Sequence, residues 1–260
     1  MGVVEYNKQD QLAIITLNRP EAMNAINVEL GEALLKILVD VEYDENIRAI
    51  LLTGTGKAFS SGGDVKAMIA SPDPKSKFFK ELTVFLNGIV NTIRMLKKPV
   101  VAGLNGAAAG AGVSLALACD LIVASRSAVF NLAYTKIGLP PDGGATALLT
   151  QHVGPKRAME YIFFNPVINM QQALEIGLIN RVFEDSTFLK EAIGFTKSVA
   201  TGPTVAYGFT KRNINQAFSA SFEQILELER EGIATCANTD DFIEAGRSFI
   251  EKRKSVFKGK

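Results

Sequence analysis

Leu104-Asn105-Gly106-Ala107-Ala108-Ala109-Gly110-Ala111-Gly112-Val113-Ser114 follows a short apolar run, Pro99-Val100-Val101-Ala102-Gly103, and precedes a helix-like segment, Leu115 to Ala118. Small residues where a strand passes into a helix let bare backbone N–H groups approach a ligand closely. Such a junction holds negative charge without a charged side chain. The stretch therefore marks both a strand–turn–helix unit and a candidate anion site.

The same alternation extends outward. Leu12 to Leu17 is β-rich and closes at Asn18-Arg19-Pro20, and Asn27 is placed to cap a helix carrying Leu30, Leu34, Leu35, Leu38 and Val41 at helical spacing. Ile47 to Thr53 has the pattern of a buried strand, and the tight turn Phe59-Ser60-Ser61-Gly62-Gly63-Asp64 leads into a short helix. Phe78 to Leu96 has helical spacing with Pro99 beyond it, Val100 to Leu104 is a strand, Ala111 to Ala118 a helix and Asp120 to Ala124 a strand. Alternation of this kind predicts an α/β architecture with crossovers. After the loop Asp142-Gly143-Gly144 the chain becomes mostly helical, over about Pro155 to Phe163, Met170 to Ile176 and Thr187 to Ala200. Pro203 to Glu231 and Thr239 to Lys254 are expected as amphipathic helices with no strand between them, an annex suited to packing on a partner subunit.

Composition narrows the function classes. The 260 residues suffice for one large domain with or without an appendage, and 47% are hydrophobic. The net charge of +1, with scattered Lys and Arg, offers no basic face for nucleic acid. Cys119 and Cys236 suit a reducing compartment better than a disulfide framework. The polar N-terminus does not resemble a signal peptide, and no apolar run nears the ~20 residues of a membrane span. A cytoplasmic protein is the expectation. No His, Cys and carboxylate cluster has metal-ligand spacing, so no metal is expected. The single histidine, His152, has the setting of a structural loop residue. Gly110-Ala111-Gly112-Val113-Ser114-Leu115 lacks the third glycine of a dinucleotide fingerprint, and Gly54-Thr55-Gly56-Lys57-Ala58 is not a phosphate-binding loop. What remains is chemistry by backbone donors and a carboxylate.

Five segments, in order along nearly the whole chain, resemble the enoyl-CoA hydratase/isomerase (crotonase) family. They are Asn18 to Ala25, Gly56 to Val65, Lys98 to Asp120, Ile137 to Gly144, and Glu251 to Gly259. The resemblance implies a crotonase-like α/β spiral of ββα units, with an acyl-CoA-binding core over 1–200 and a helical trimerisation region over 201–260. It also implies an acyl-CoA thioester substrate, no cofactor apart from the coenzyme A of that substrate, and a homotrimer or a hexamer built as a dimer of trimers.

By motif position the resemblance puts two thioester-polarising N–H groups on Ser61 and Ala111. Fixed donors of this kind stabilise the enolate oxygen as charge develops, and a helix start adds positive potential. Substrate contacts are expected from Ala22, Met23, Ser61, Gly62, Gly63, Asp64 and Ala111, although capping of the following helix is the readier role for Asp64. Lys57 and the basic tail Lys252-Arg253-Lys254 are candidates for phosphate pairing, and Ala70 to Phe85 for a lip of the acyl pocket.

The hydratases of the family carry two glutamates where this chain has Ser114 and Tyr134. Neither side chain is a ready general base. A carboxylate stands instead at Asp142, in the loop that lines the family's acyl pocket. Several double-bond isomerases carry an acidic residue there. The segment Ala133 to Gly144 is similar to isomerases acting on ring-epoxide or unsaturated acyl-CoAs. The expectation is an enoyl-CoA isomerase in which Asp142 moves the proton, with a turn-forming or helix-capping role as the bland reading of that aspartate. An enoyl-CoA hydratase with its base elsewhere, a non-catalytic acyl-CoA-binding or scaffold protein, and a hydrolase using Ser114 remain as alternatives.

Overall fold

The computed structural model describes residues 2–260. The chain opens with an antiparallel hairpin, β1 (Val4–Gln9) and β2 (Leu12–Leu17), turned at Asp10 in the left-handed region (φ 56°). Asn27 accepts from the Leu30 N–H and starts α1 (Val28–Tyr43), as its sequence predicts. Three strand–strand–helix units follow. The first is β3 (Ala49–Gly54), β4 (Ala58–Ser60) and the helices α2 (Val65–Ala70) and α3 (Lys75–Met95). The second is β5 (Val100–Leu104), β6 (Ala107–Ala109) and α4 (Ala111–Ala118). The third is β7 (Leu121–Ser125), β8 (Val129–Asn131) and α5 (Ala145–Phe164). The chain continues through β9 (Ile168–Asn169), α6 (Met170–Glu175), β10 (Arg181–Phe183), α7 (Phe188–Ala200), α8 (Thr204–Gln216), α9 (Phe222–Cys236) and α10 (Asp240–Ile250).

Each unit gives its long strand to one sheet and its short strand to another. The first sheet has the order β1-β2-β3-β5-β7-β10 and the second β4-β6-β8-β9. From β2 to β10 the first sheet is parallel, and both of its faces are covered. Ala13, Ile15, Ile50 and Leu52 face the main core beneath α1 and α3, while Leu12, Ile14, Ala49 and Leu51 pack against Phe188 and Ala192 of α7. Burial on both sides explains why these strands read as unbroken apolar runs. The expected spiral of ββα units is therefore present.

Several elements depart from expectation. The short strands β4, β6, β8 and β9 have too few residues to show a period. Pro155 opens only the second half of α5, which begins at Ala145 and kinks at Gly154 (φ 76°). His152 accordingly lies in a helix, with its Nδ1 2.7 Å from the Leu148 carbonyl oxygen. The helix expected over Pro203 to Glu231 is two helices. Ser221 and Gln224 form a capping box that starts α9 afresh. Much of Ala70 to Phe85 is the first part of α3, and Lys75 donates back to the Met68, Ile69 and Ser71 carbonyls at the C-terminal end of α2. No helix is long and apolar enough to cross a membrane among the described residues.

The last helices are tied to the core. Lys211 of α8 pairs with Asp120 at 2.8 Å, and Asn215 donates to the Arg94 carbonyl. Arg48 reaches the Gly202 and Phe257 carbonyls and the Thr204 hydroxyl, while Asp241 accepts from the Lys258 and Gly259 N–H groups.

Candidate active site

Whether an amide is available to a ligand depends on what else it meets. The Ser61 N–H donates to the Met23 carbonyl at 2.9 Å, and the Asp64 N–H donates to Ile26. The Gly62 N–H has the Ser60 hydroxyl at 3.2 Å. The Gly63 N–H has no acceptor among the described residues. The assignment of the first donor to Ser61 is therefore corrected: its N–H is spent in holding the Met23 loop, and Gly63, two residues on, carries the free one. The Ala111 N–H also has no acceptor among the described residues. Ala111 is the first residue of α4, follows an N-cap glycine whose lack of a side chain leaves the terminus uncapped, and is 5% exposed. The helix dipole supplies positive potential at that position.

Glycine is needed here for close approach. A Cβ on Gly62, whose φ is +91°, would lie 2.7 Å from the Ala109 oxygen and 3.1 Å from the Ala111 nitrogen. A Cβ on Gly112 would lie 2.4 Å from the Ser60 oxygen. The two strand ends therefore meet with backbone against backbone, and this contact brings the residue before Gly63 against the Ala111 nitrogen. A Cβ on Gly63 would meet only the terminal methyl of Met68.

The loop from Ala133 to Gly144 brings the carboxylate. Ala133 (φ 55°) and Gly138 (φ 73°) bracket a single 3-10 turn, Tyr134–Ile137. The Asp142 carbonyl accepts from the Ala145 N–H across Gly143 (φ 55°) and Gly144 (φ 79°), closing a tight turn before α5. The turn-forming role is thus filled by Asp142's backbone. Its side chain does not cap α5, whose N-cap is Gly144. Instead the Tyr134 hydroxyl donates to Asp142 Oδ1 at 2.7 Å. Ser114 Oγ lies 2.8 Å from that hydroxyl and 2.9 Å from the Asp142 carbonyl oxygen. Ser114 stands three residues after Ala111, a rise of roughly 4.5 Å along α4. The half-buried carboxyl is thereby tied within about one helical turn of the second donor. Leu86 of α3 packs at Gly143, and Leu82 and Val90 of the same helix are buried. Burial in this apolar setting raises the Asp142 pKa, and the Tyr134 hydrogen bond pulls it partly back. Burial also pushes the Tyr134 phenol upward, so it stays protonated and can donate.

Other expected ligands have other duties. Both Asp64 oxygens are engaged, one by the Ala67 N–H at the start of α2 and one by Arg19 at 3.1 Å. The capping role holds, and the Asp64 carboxylate is taken up within the chain. Ala22 offers its carbonyl to the Ser61 hydroxyl, and Met23, at φ 50°, leaves its side chain 56% exposed beside the donor loop. In the basic tail Arg253 is held by Glu244 and Glu251. Ser114 meets a phenol and a main-chain carbonyl, which gives it no base. No cluster of three His, Cys, Asp or Glu groups that could hold a metal occurs among the described residues.

Sequence reasoning passed over Asn24. Fully buried, it accepts from the Arg19 N–H, donates to the Thr55 and Ala58 carbonyls, and takes the Ser60 hydroxyl on its own carbonyl. This asparagine fastens the Met23 loop to β4 and so fixes which amides remain free. Its left-handed backbone (φ 54°) makes an asparagine there a legible turn signal, though not its partners.

A pair of free amides, one at a helix start, thus stands with a carboxyl anchored to the same helix. The family model for enoyl-CoA hydratase/isomerase matches residues 7–260. The chain belongs to this family. It is 38% identical over 247 residues to the 1,2-epoxyphenylacetyl-CoA isomerase of Escherichia coli strain K12, covering 95% of this chain and 94% of that protein. Identity to the short-chain-enoyl-CoA hydratase of Clostridium acetobutylicum is 33% over 248 residues, covering 95% and 94%. Among solved structures, the enoyl-CoA hydratase of Bacillus anthracis superposes with a TM-score of 0.93 at 28% identity, over 99% of this chain and all of that one. The protein is thus an acyl-CoA enzyme of the hydratase/isomerase family with the crotonase fold.

Proposed function

We propose that this family member is an enoyl-CoA double-bond isomerase in which Asp142 moves the proton and the N–H groups of Gly63 and Ala111 hold the thioester oxygen. One observation carries the reading. The positions expected to supply two glutamates for hydration are Ser114 and Tyr134, and both are hydrogen-bonded to Asp142. The carboxyl that remains is single, half-buried and beside the donor helix.

The substrate is a β,γ-unsaturated acyl-CoA, and coenzyme A enters only as part of it. Asp142 takes a proton from C2, and the electron pair of that C–H bond delocalises onto the thioester oxygen as a dienolate. The two amides stabilise that oxygen without reorganising, each contributing roughly 2.7–4 kcal/mol in comparable sites. The protonated Asp142 then returns the proton to C4, the double bond settles between C2 and C3, and the carboxylate is restored. One carboxyl serves both transfers because the proton leaves and returns on one face. Its raised pKa suits both, since a group easily protonated in an apolar site is both a base and a donor.

The test is Asp142→Asn assayed on a 3-enoyl-CoA by the appearance of conjugated thioester absorbance. Loss of the acid–base group lowers turnover by ~10²–10⁴-fold. Undiminished turnover, or rapid hydration of crotonyl-CoA by the wild type with no isomerisation, overturns the reading in favour of a hydratase. The C-terminal helices carry exposed apolar side chains, Phe222, Ile233, Phe249 and Ile250 among them. This exposure supports assembly of like subunits as a trimer or hexamer, which light scattering on the purified protein measures.

A further inference from the structure

Two hydroxyls and a carboxyl close a ring around Asp142. Its sides are Ser114 Oγ to Tyr134 Oη at 2.8 Å, Tyr134 Oη to Asp142 Oδ1 at 2.7 Å, and Ser114 Oγ to the Asp142 carbonyl oxygen at 2.9 Å. Ser114 is fully buried and Tyr134 is 7% exposed, so solvent does not compete for these groups. Each hydroxyl has one proton to give. With Asp142 ionised, Tyr134 donates to Oδ1, and Ser114 donates either to Tyr134 or to the carbonyl. With the proton on Oδ2, Oδ1 is the carbonyl oxygen of the acid and still accepts from Tyr134, while Ser114 donates to Tyr134 or to the main-chain carbonyl. In both states Oδ1 faces Tyr134.

We propose that Tyr134, backed by Ser114, is the positioning residue of this site: its hydroxyl holds Asp142 Oδ1 and leaves Oδ2 as the atom that exchanges the proton with substrate. The inference rests on Asp142 being the acid–base group. Its physical content is that one side chain orientation is selected in both protonation states, so the carboxyl does not rotate away between taking the proton at C2 and returning it at C4. Such preorganisation matters because small misplacements of a reacting group cost large factors in rate. The backbone is equally constrained. The Tyr134 carbonyl accepts from the Leu139 N–H, and Thr135 donates to the Ile162 carbonyl, which ties the loop to α5.

The surroundings make the clamp visible in a titration. Tyr134 is the ionisable side chain hydrogen-bonded to Asp142. From α4 the neighbour is Ser114, from α3 it is Leu86 against Gly143, and along α5 the first titratable residue is His152, two turns past Gly144. Because a donor to the ionised form favours ionisation, removing the Tyr134 hydroxyl moves the Asp142 titration to higher pH.

The test is the pH profile of kcat/KM on a 3-enoyl-CoA for the wild type, Tyr134→Phe and Ser114→Ala. Tyr134→Phe keeps the ring that packs in the core, and the acidic limb is expected to move up by about one pH unit, a roughly tenfold loss of activity below the limb. Ser114→Ala is expected to move the limb in the same direction by less. The carboxyl C=O stretch in the infrared, assigned as the band absent from Asp142→Asn, should titrate with the same displacement. A natively folded Tyr134→Phe protein whose limb and infrared band stay at the wild-type pH overturns the clamp. Failure of the underlying reading looks different: there Asp142→Asn itself remains active. A poorly folded Tyr134→Phe leaves Ser114→Ala and the infrared titration to decide the matter, with an unmoved band in Ser114→Ala counting against the clamp.

Discussion

The contact of Gly62 with the start of α4 places the two amides proposed as oxyanion donors, and replacing Gly62 by alanine tests the arrangement. An alanine Cβ there sits 2.7 Å from the Ala109 oxygen and 3.1 Å from the Ala111 nitrogen, against the 3.4 Å at which ordinary contact begins. The backbone must open by about 0.7 Å on that side. The atoms that move are those of the second donor and its neighbour. Gly62 is also at φ +91°, where an L side chain adds strain of roughly 1–2 kcal/mol. Overpacking adds another ~1–3 kcal/mol, so Gly62→Ala is expected to lose about 2–5 kcal/mol of stability. Displacing one oxyanion donor lowers kcat by about 10²–10³-fold. Gly63→Ala is the control. Its Cβ meets only the Met68 methyl, at 2.2 Å, and a flexible thioether end can swing aside. That variant should lose under about 1.5 kcal/mol and keep activity within about tenfold. Chemical denaturation gives the stabilities, and isomerisation of a 3-enoyl-CoA gives the rates. A Gly62→Ala enzyme as active as Gly63→Ala would refute the idea that backbone contact at this point positions the donors.

Two further outcomes follow from buried charge. Asp142 acts as a base only when ionised, and burial raises its pKa, so kcat/KM should fall as pH drops through a limb above the ~3.9 of an ordinary aspartate and recover as pH rises; a flat acidic side removes the aspartate from the rate equation. Lys211 is buried and pairs with Asp120, whose side chain is 21% exposed, and desolvation moves each toward its neutral form. Lys211→Met removes the partner of a carboxylate that is part-exposed and keeps the Val100 N–H, and should destabilise by about 1–3 kcal/mol. Urea unfolding measures the loss, and the double variant with Asp120→Asn should recover much of it.

Much of the architecture was legible along the chain because it is local. The limits of β2, β5 and α4 follow from apolar runs bounded by proline and glycine, and Asn27 and Asp64 cap helices as their positions suggest. The second sheet was not legible, since strands of two or three residues carry no period and gain their pairing from the turns of the spiral. The break between α8 and α9 was written in the pair Ser221 and Gln224, but the amphipathic pattern runs through it.

The sequence by itself determined the α/β repeat, the glycine-lined junctions and the presence of a lone aspartate where the family's hydratases rely on glutamates. Tertiary structure decided which amide is free and where the aspartate points. Ser61 and Gly63 are equivalent as letters. They differ because Met23, brought back by Asn24 from the preceding loop, takes one N–H and leaves the other. Ser114 and Tyr134 likewise mark only missing bases in the sequence, and folding turns them into the partners of Asp142. A hydrogen-bonding group's availability is a property of its neighbours, and those neighbours come from segments far apart along the chain.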